Sequence, residues 1–451
     1  MNAQHNAMTE RDRVNGMKLI DLEHRIDRLK SSMHLAVVFG GDKSRPGSVV
    51  YQSHNTRAWK SYEAVANDIE AALRRIGFRH VEVMPDDMRM GERLRRRGIH
   101  MAWLNTGGMQ GANPVTHAPA MMEMMGVPYV GHDPLAATLL DNKHAFKRAA
   151  VCAGLPTPRF MVSQRLRGLA PDFNRAFERA FGDYAGPFVV KPVSGRASLH
   201  VHVVAEVAAL RDAVDEVHEV TQNAVLIEQY LSGREVCIAV SGPVLARNGR
   251  VTRGEGPIAF SAIERAFVPG EQIFTSMDQR PITAERTKLL DGVQDAELLD
   301  KMSRLGRQTY QEFDLNSLIR LDLRADAQGE LYILEANPKP DLKAPSSAST
   351  SLICAGLDEI GLTYDDLILS LLADRLDFLF LRRPDTVRHL SELIETRTLF
   401  DLMRSPEGTP AMGERLTDLN VAALSAARKA LGRAAEASEG KPAASAGVNA
   451  A

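Results

Sequence analysis

Cysteine is scarce in this chain: Cys152, Cys237 and Cys354 are the only three among 451 residues. An odd and widely spaced set makes neither a disulfide framework nor a zinc site. It fits a reducing, cytoplasmic setting. Long apolar runs are missing too. No stretch approaches the roughly 20 residues that span a bilayer. The opening MNAQHNAMTERDRVNG is polar and lacks the apolar core of a signal peptide. The most apolar late stretch, LILSLLADRLDFLFL, carries Asp374, Arg375 and Asp377 and reads as a buried or interfacial helix. Charge of one sign is absent as well. With 55 basic and 57 acidic residues the net charge is -2, which offers no bulk attraction for nucleic acid. Arg95-Arg96-Arg97 reads as a solvated helix face. No phosphate loop of the G-x-x-x-x-G-K-[ST] type occurs, VVFGGD lacks G-x-G-x-x-G, and no repeat of period 20 to 50 is found.

What is present is a rhythm. HLAVVFGG reads as a buried strand, TRAWKSYEAVANDIEAALRRIGF as a helix with a glycine stop, HVEVMP as a strand, and IHMAWLNTGG as another strand ending in glycines. APAMMEMMGVPYVG repeats helix, stop and strand. Such β-α alternation predicts a parallel sheet with helices on its faces. Residues 18–32 have helical spacing, LLDNKHAFKRAAVCAG reads as one helix, and 295–312 as another. AVLIEQYLSGREVCIAVSG reads as two strands joined across Ser232-Gly233. Residues 253–283 read as irregular, and TLFDLMRSPEGTPAMGERL as two helices around a loop. The tail from about 434 is low in complexity and is expected to be disordered.

The hairpin SLIRLDLRADAQGELYILEANP carries chemistry. A tight turn centred on Gln328-Gly329 sets Asp322 opposite Glu335 and Arg320 opposite Asn337, all on one face. Two facing carboxylates repel unless a cation sits between them. Oxygen-only donors favour Mg²⁺ or Mn²⁺ over zinc. The guanidinium suits a transferring phosphate or an oxyanion. A surface hairpin whose charges simply pair, Asp322 with Arg320, fits the same residues. Upstream, PFVVKPVSGRASLHV offers Lys191 at a strand end and a loop of small residues whose backbone N–H groups can approach phosphate; a plain β-turn also fits. VLIEQYLSGRE carries Glu228 and Glu235 on a strand entering a hinge, which suits an adenine pocket or an ordinary strand-turn-strand.

Taken in order, Lys143 in LLDNK, Lys191 in VVKP, Glu228 in LIEQYL, Glu235 in SGREV, Arg320 and Asp322 in IRLDL, and Glu335 and Asn337 in LEANP resemble the ATP-grasp superfamily. The likeness is to D-alanine–D-alanine ligases and spans residues 34–375. The stretch MMEMMGVPYVGHDPLAATLLDNKHAFK is similar to the junction of that family's first two domains. The resemblance implies an α/β fold of ATP-grasp type: an N-terminal parallel α/β domain (34–138), a central lobe (139–232) and a C-terminal lobe (233–375) clasping ATP. Outside these lie an N-terminal extension (1–33), a helical extension (376–433) and the tail (434–451). It implies Lys143, Lys191 and Ser198 on the ATP phosphates, Glu228, Gln229, Tyr230 and Leu231 around adenine, and Glu235 on ribose. Asp322, Glu335 and Asn337 would hold Mg²⁺, and Arg320 would stabilise the transferring phosphoryl group. The implied chemistry activates a carboxylate as an acyl phosphate and passes it to an amine, releasing ADP and phosphate. The implied partners are small-molecule carboxylate and amine substrates, amino acids in that family, and a second copy of the chain. An acceptor other than an amine, or an ATP-binding regulatory protein without catalysis, are alternative readings.

Departures from the family fall on the substrate side. FGGDKSRPGSVVYQSHNTR lacks the family's substrate-binding glutamate, and NTGGMQGANP lacks its His, Glu and Asp. The lid is matched only by Arg265 in SAIERAF. After LEANP, PKPDLK brings Lys339, Asp341 and Lys343 in place of a glycine. Ser346 or Ser347 falls where the family binds the incoming carboxylate. A substrate other than D-alanine is therefore expected. Lys43, Arg45, Arg57 and Lys343 point to an acidic one, unless they form only a solvated basic surface.

Overall fold

In a computed structural model of the chain, the described residues are 21–40, 62–109, 113–164, 173–195, 198–267, 270–273, 286–345 and 351–404. The expectations for Lys43, Arg45, Arg57, Ser346, Ser347 and the tail fall outside them.

Helix α1 (residues 21–29) leads into a four-stranded sheet. Its strands are β1 (His34–Gly40), β2 (His80–Asp86), β3 (Met101–Asn105) and β4 (Tyr129–Val130), in the order β2-β1-β3-β4 and all parallel. Six of the seven β1 residues are buried, as a strand covered on both faces requires. Helices α2 (Glu63–Ile76), α3 (Met90–Arg96) and α4 (His117–Met125) return the chain between strands. Gly77 and Gly126 stop α2 and α4 in the left-handed conformation that glycine tolerates.

The predicted single helix at LLDNKHAFK is two helices, α5 (Pro134–Asp141) and α6 (Lys143–Cys152). Asn142 is extended between them, and its side-chain oxygen accepts from Ala145 N–H, capping α6. A second, antiparallel sheet follows: β5 (Phe160–Ser163), β6 (Phe188–Pro192), β7 (His202–Val204) and β8 (Val225–Gln229), in the order β5-β8-β6-β7. Helices α7 (Phe173–Phe181) and α8 (Leu210–Thr221) belong to this part, and a core of Phe181, Phe188, Val214 and Ile227 underlies it.

The third sheet contains β9 (Glu235–Ser241), which is followed by a small hairpin, β10 (Val244–Arg247) and β11 (Arg250–Arg253). Its remaining strands are β12 (Ile258–Arg265), β13 (Thr287–Leu289), β14 (Ile319–Ala325) and β15 (Leu331–Asn337), in the order β13-β12-β9-β14-β15. Two expectations need correction. The strands flanking Ser232-Gly233 do not pair: β8 and β9 lie in different sheets, so this segment is a crossing. Gly233 makes the crossing possible, because a Cβ there would sit 2.6 Å from the Asp326 carbonyl oxygen. And residues 253–283, expected to be irregular, contain β12, which lies between β13 and β9. Its sequence, IAFSAIER, breaks strict alternation where the pairing with β9 shifts between Phe260 and Ile263, hiding the strand signal.

Helix α9 (Ala296–Glu312) packs on β9 and β12. Helix α10 (Tyr364–Arg382) is the buried helix expected from its apolar run, and its charges are partnered: Asp374 accepts from Val244 N–H (3.1 Å), Arg375 donates to the Tyr129 carbonyl (2.7 Å) and Asp377 pairs with Arg253. Contacts divide the chain into residues 1–393 and 394–451; α11 (Arg388–Arg404) begins in the first unit and continues into the second. Among the described residues no helix is long and apolar enough to cross a membrane, and the three cysteines are free thiols.

Candidate functional site

The β14–β15 pair brings the expected four residues face to face, by a different route. The turn is a three-residue loop, 327–329. Asp326 N–H donates to the Glu330 carbonyl (2.9 Å), and the Asp326 carboxylate accepts from the Gln328 and Glu330 N–H groups (both 2.9 Å). Gly329 takes the left-handed conformation such a loop needs (φ 86°). From there Ala325 faces Leu331 and Leu323 faces Ile333. Continued regularly, that ladder would set Leu334 against Asp322. A bulge at Leu334 absorbs one residue, so Asp322 faces Glu335 and Arg320 faces Asn337.

These residues line one cavity of about 400 Å³, together with others from β6, β8, β9 and β12. Asp322 is 3% exposed and does pair with Arg320 (2.7 and 2.9 Å), but in the interior rather than on a surface. Its second oxygen also accepts from Arg265 (2.9 Å), which reaches Glu235 as well (3.1 Å). Burial alone would raise the Asp322 carboxyl; Arg265 and Arg320 outweigh it and hold it down at about 2. Glu335 pairs with Lys143 (3.1 Å), whose ammonium also donates to the Gly195 carbonyl (3.0 Å). Burial opposes the charge on Lys143, yet Glu335 keeps its pKa above the ordinary lysine value.

Lys191, 8% exposed, pairs with Glu228. Glu228, expected beside adenine, has its other carboxylate oxygen 2.6 Å from Lys147 Nζ. Lys147 was not anticipated. It is fully buried and also donates to Thr157 Oγ1 (2.6 Å). Its signal was available: in NKHAFK it stands four residues after Lys143, on the same helix face. Arg324, two residues after Asp322 on β14, was also missed. It reaches Glu235 (3.5 Å) and the Tyr230 hydroxyl (3.1 Å), and stacks on Tyr230 and Phe267 at 4.8 and 4.9 Å.

Gln229 ends β8 and Tyr230 and Leu231 lie in the crossing that follows; Gln229 and Leu231 line the cavity. Tyr230 N–H donates to the Pro187 carbonyl (3.0 Å). Ser198 lines the cavity too, exposed and with positive φ (50°). Lys339 and Asp341 line the cavity too, while Lys343 is exposed and is not among the lining residues. For a metal, Asp322 and Glu335 supply two carboxylates and Asn337 an amide oxygen that already accepts from Lys339 N–H (3.0 Å). These are hard oxygen donors that fit Mg²⁺. No group of three His, Cys, Asp or Glu suited to a metal occurs among the described residues, so the amide is needed to complete the set.

Residues 151–373 match the family model described as D-ala D-ala ligase C-terminus. A D-alanine–D-alanine ligase of Synechococcus sp. (strain JA-3-3Ab) is 25% identical over 309 residues, covering 68% of this chain and 86% of that one. The protein y4sG of Sinorhizobium fredii, described as uncharacterized, is 29% identical over 258 residues, 55% of this chain and 68% of that one. Among solved structures, D-alanine–D-alanine ligase from Bacillus anthracis complexed with ATP superposes with a TM-score of 0.54 at 19% identity, covering 76% of this chain and 98% of that one. The chain has the ATP-grasp fold. Over residues 151–373 it is similar to the D-alanine–D-alanine ligases.

Proposed function

We propose that this chain is an ATP-dependent, ADP-forming carboxylate–amine ligase, acting on substrates other than two D-alanines. One observation carries the proposal: the Asp322–Glu335 pair, flanked by Arg320 and Lys143 on the wall of a single cavity. A protein that only binds nucleotide has no need of opposed carboxylates held apart by buried cations.

In the proposed reaction a substrate carboxylate oxygen attacks the γ-phosphorus of ATP. The bond from that phosphorus to the ADP oxygen breaks, giving an acyl phosphate. The nitrogen of a neutral amine then attacks the acyl carbon, phosphate leaves and the nitrogen loses a proton, forming an amide. Lys143 and Lys191 hold phosphate oxygens, with Ser198 in the adjoining loop. Glu228 fixes Lys191 from below. Gln229, Tyr230 and Leu231 border adenine, and Glu235 faces ribose. Arg320 neutralises charge on the transferring phosphoryl group and then on the oxyanion. Asp322, Glu335 and Asn337 would hold Mg²⁺, which would supply further charge neutralisation and alignment of the phosphates.

The test is incubation with ATP, Mg²⁺ and mixed amino acids of both chiralities, followed by mass spectrometry. A product lighter by one water than its two components, formed with ADP and phosphate, is expected. ATP binding without turnover on any mixture would refute the ligase in favour of a regulatory ATP-binding protein. ADP formation with an acyl product on a thiol would refute the amine acceptor alone.

A further inference from the structure

Two lysines one helical turn apart on α6 end in different surroundings. Lys143 lines the cavity and pairs with Glu335 on β15 (3.1 Å). Lys147 is not among the lining residues, and its side chain is 0% exposed. Its ammonium meets three separate segments: Glu228 Oε1 on β8 (2.6 Å), Thr157 Oγ1 ahead of β5 (2.6 Å) and the Ile333 carbonyl on β15 (3.4 Å). An ammonium has three N–H donors, so each has an oxygen to meet. Thr157 is itself fixed to β15. Its hydroxyl donates to the Ile333 carbonyl (3.0 Å), and Ile333 N–H donates to the Pro156 carbonyl (2.8 Å). Lys147 is thus held from several sides, and it holds one oxygen of Glu228 in turn.

The other oxygen of Glu228 pairs with Lys191, and these two residues do line the cavity. One carboxylate is therefore shared by two ammonium groups, and the triad keeps one positive charge in excess. Excess charge in an interior is costly, and a Glu228–Lys191 pair alone would be neutral. Lys191 is the member of the triad that presents a cation to the cavity. We propose that Lys147 is a positioning residue for the phosphates of a nucleotide: by holding one oxygen of Glu228 it keeps that carboxylate from neutralising Lys191, and leaves the Lys191 charge to a polyphosphate. An arriving phosphate supplies the anion that the triad lacks, so its binding relieves the cost of the buried excess. The low dielectric of the interior carries the effect of Lys147 to the cavity without contact. This rests on the nucleotide site of the function proposed above, and adds to it a residue that touches neither nucleotide nor substrate.

The experiment compares wild type, Lys147→Met and the double variant Lys147→Met/Glu228→Gln. Two measurements are made on the full chain: calorimetric affinity for a non-hydrolysable ATP analogue with Mg²⁺, and ADP release with ATP and mixed amino acids. Lys147→Met preserves the bulk of the buried side chain, and Thr157 keeps the Ile333 carbonyl as its acceptor, so the fold should survive. The triad becomes a neutral pair, and analogue affinity should fall by roughly 10-fold, the scale of one unit charge acting through protein. KM for ATP should rise in step, with kcat little changed. The double variant removes the anion as well and again leaves one positive charge, on Lys191. Its affinity should return most of the way to wild type, which no repair of packing could achieve. Lys147→Gln, which keeps a donor for Glu228, replaces Lys147→Met if that variant does not fold, and should show the same loss. Unchanged analogue affinity without the Lys147 charge overturns the inference. A loss that the double variant does not recover overturns it too, by assigning Lys147 to packing. ADP release on amino acids by wild type in either case leaves the ligase standing. Loss and recovery as expected, without ADP release on any mixture, would refute the ligase and leave the inference standing.

Discussion

Lys147 and Glu228 form an ion pair closed off from solvent, with Nζ 2.6 Å from Oε1 and side-chain exposures of 0% and 2%. Lys191 completes a buried triad of two cations and one anion. Burial pushes the Lys147 ammonium down to about 8 despite the pull of Glu228. Burial would raise the Glu228 carboxyl, but the two lysines hold it below the ordinary glutamate range. The triad makes opposite predictions for its members. Glu228→Gln leaves two buried ammonium groups without a counter-ion and should cost about 3–5 kcal/mol. Lys147→Met leaves a neutral Glu228–Lys191 pair and should cost under about 1.5 kcal/mol. Urea unfolding of the two variants measures this, and a reversed order would contradict the assignment of Glu228 as the hub.

Glu335→Gln tests the proposed metal and phosphoryl chemistry. Lys143 retains an oxygen to donate to, so the fold should survive. Turnover should fall by roughly 10²- to 10³-fold, the scale for losing one charged group that stabilises a transition state. Affinity for an ATP analogue, read by calorimetry, should change by only a few fold. Undiminished ADP release would remove Glu335 from the chemistry.

Asp322 predicts an acid limb in stability. Its carboxyl sits at about 2 in the folded chain against an ordinary 3.8, so the folded state binds the proton less tightly than the unfolded one. The stabilisation is complete above pH 4 and is lost as pH falls from there towards 2. It is on the order of 2 kcal/mol. Urea midpoints followed through that window should show the loss in wild type. Asp322→Asn should start less stable, with Arg265 and Arg320 lacking their shared anion, and should not show this component.

Asp374 predicts the opposite sign. Burial raises its carboxyl to about 7 from 3.8, although the Val244 N–H bond opposes the rise. Here the folded chain binds the proton more tightly, so stability declines as pH climbs from about 4 to 7 and stays lower above. Asn can accept the same Val244 hydrogen bond without the charge. Asp374→Asn should therefore gain roughly 2–4 kcal/mol at pH 8 and little at pH 4, seen as a higher melting temperature at pH 8 alone.

Much of the fold could be read from local signals. The parallel first sheet followed from alternating apolar strands and glycine-stopped helices, and α10 from its apolar run. What escaped has particular causes. Strand β12 carries an irregularity that breaks the period of two. The α5–α6 break depends on Asn142 capping the second helix rather than continuing the first. At the hairpin a three-residue loop and the Leu334 bulge displace the register in opposite senses. A reading with neither therefore arrives at the same facing pairs.

The identities of the facing groups in the site, Asp322 with Glu335 and Arg320 with Asn337, were decided by neighbours in the chain, because a hairpin fixes its own register within a few residues. Their partners were not. Arg265 reaches Asp322 from 57 residues away, and the Lys339 ammonium lies over the ring of Tyr62, a residue remote in the chain. Such pairs depend on sheet order and on which segments cross between sheets. Period and composition carry no record of that order, since a charged side chain looks the same in sequence whether it ends in solvent or against a buried counter-ion.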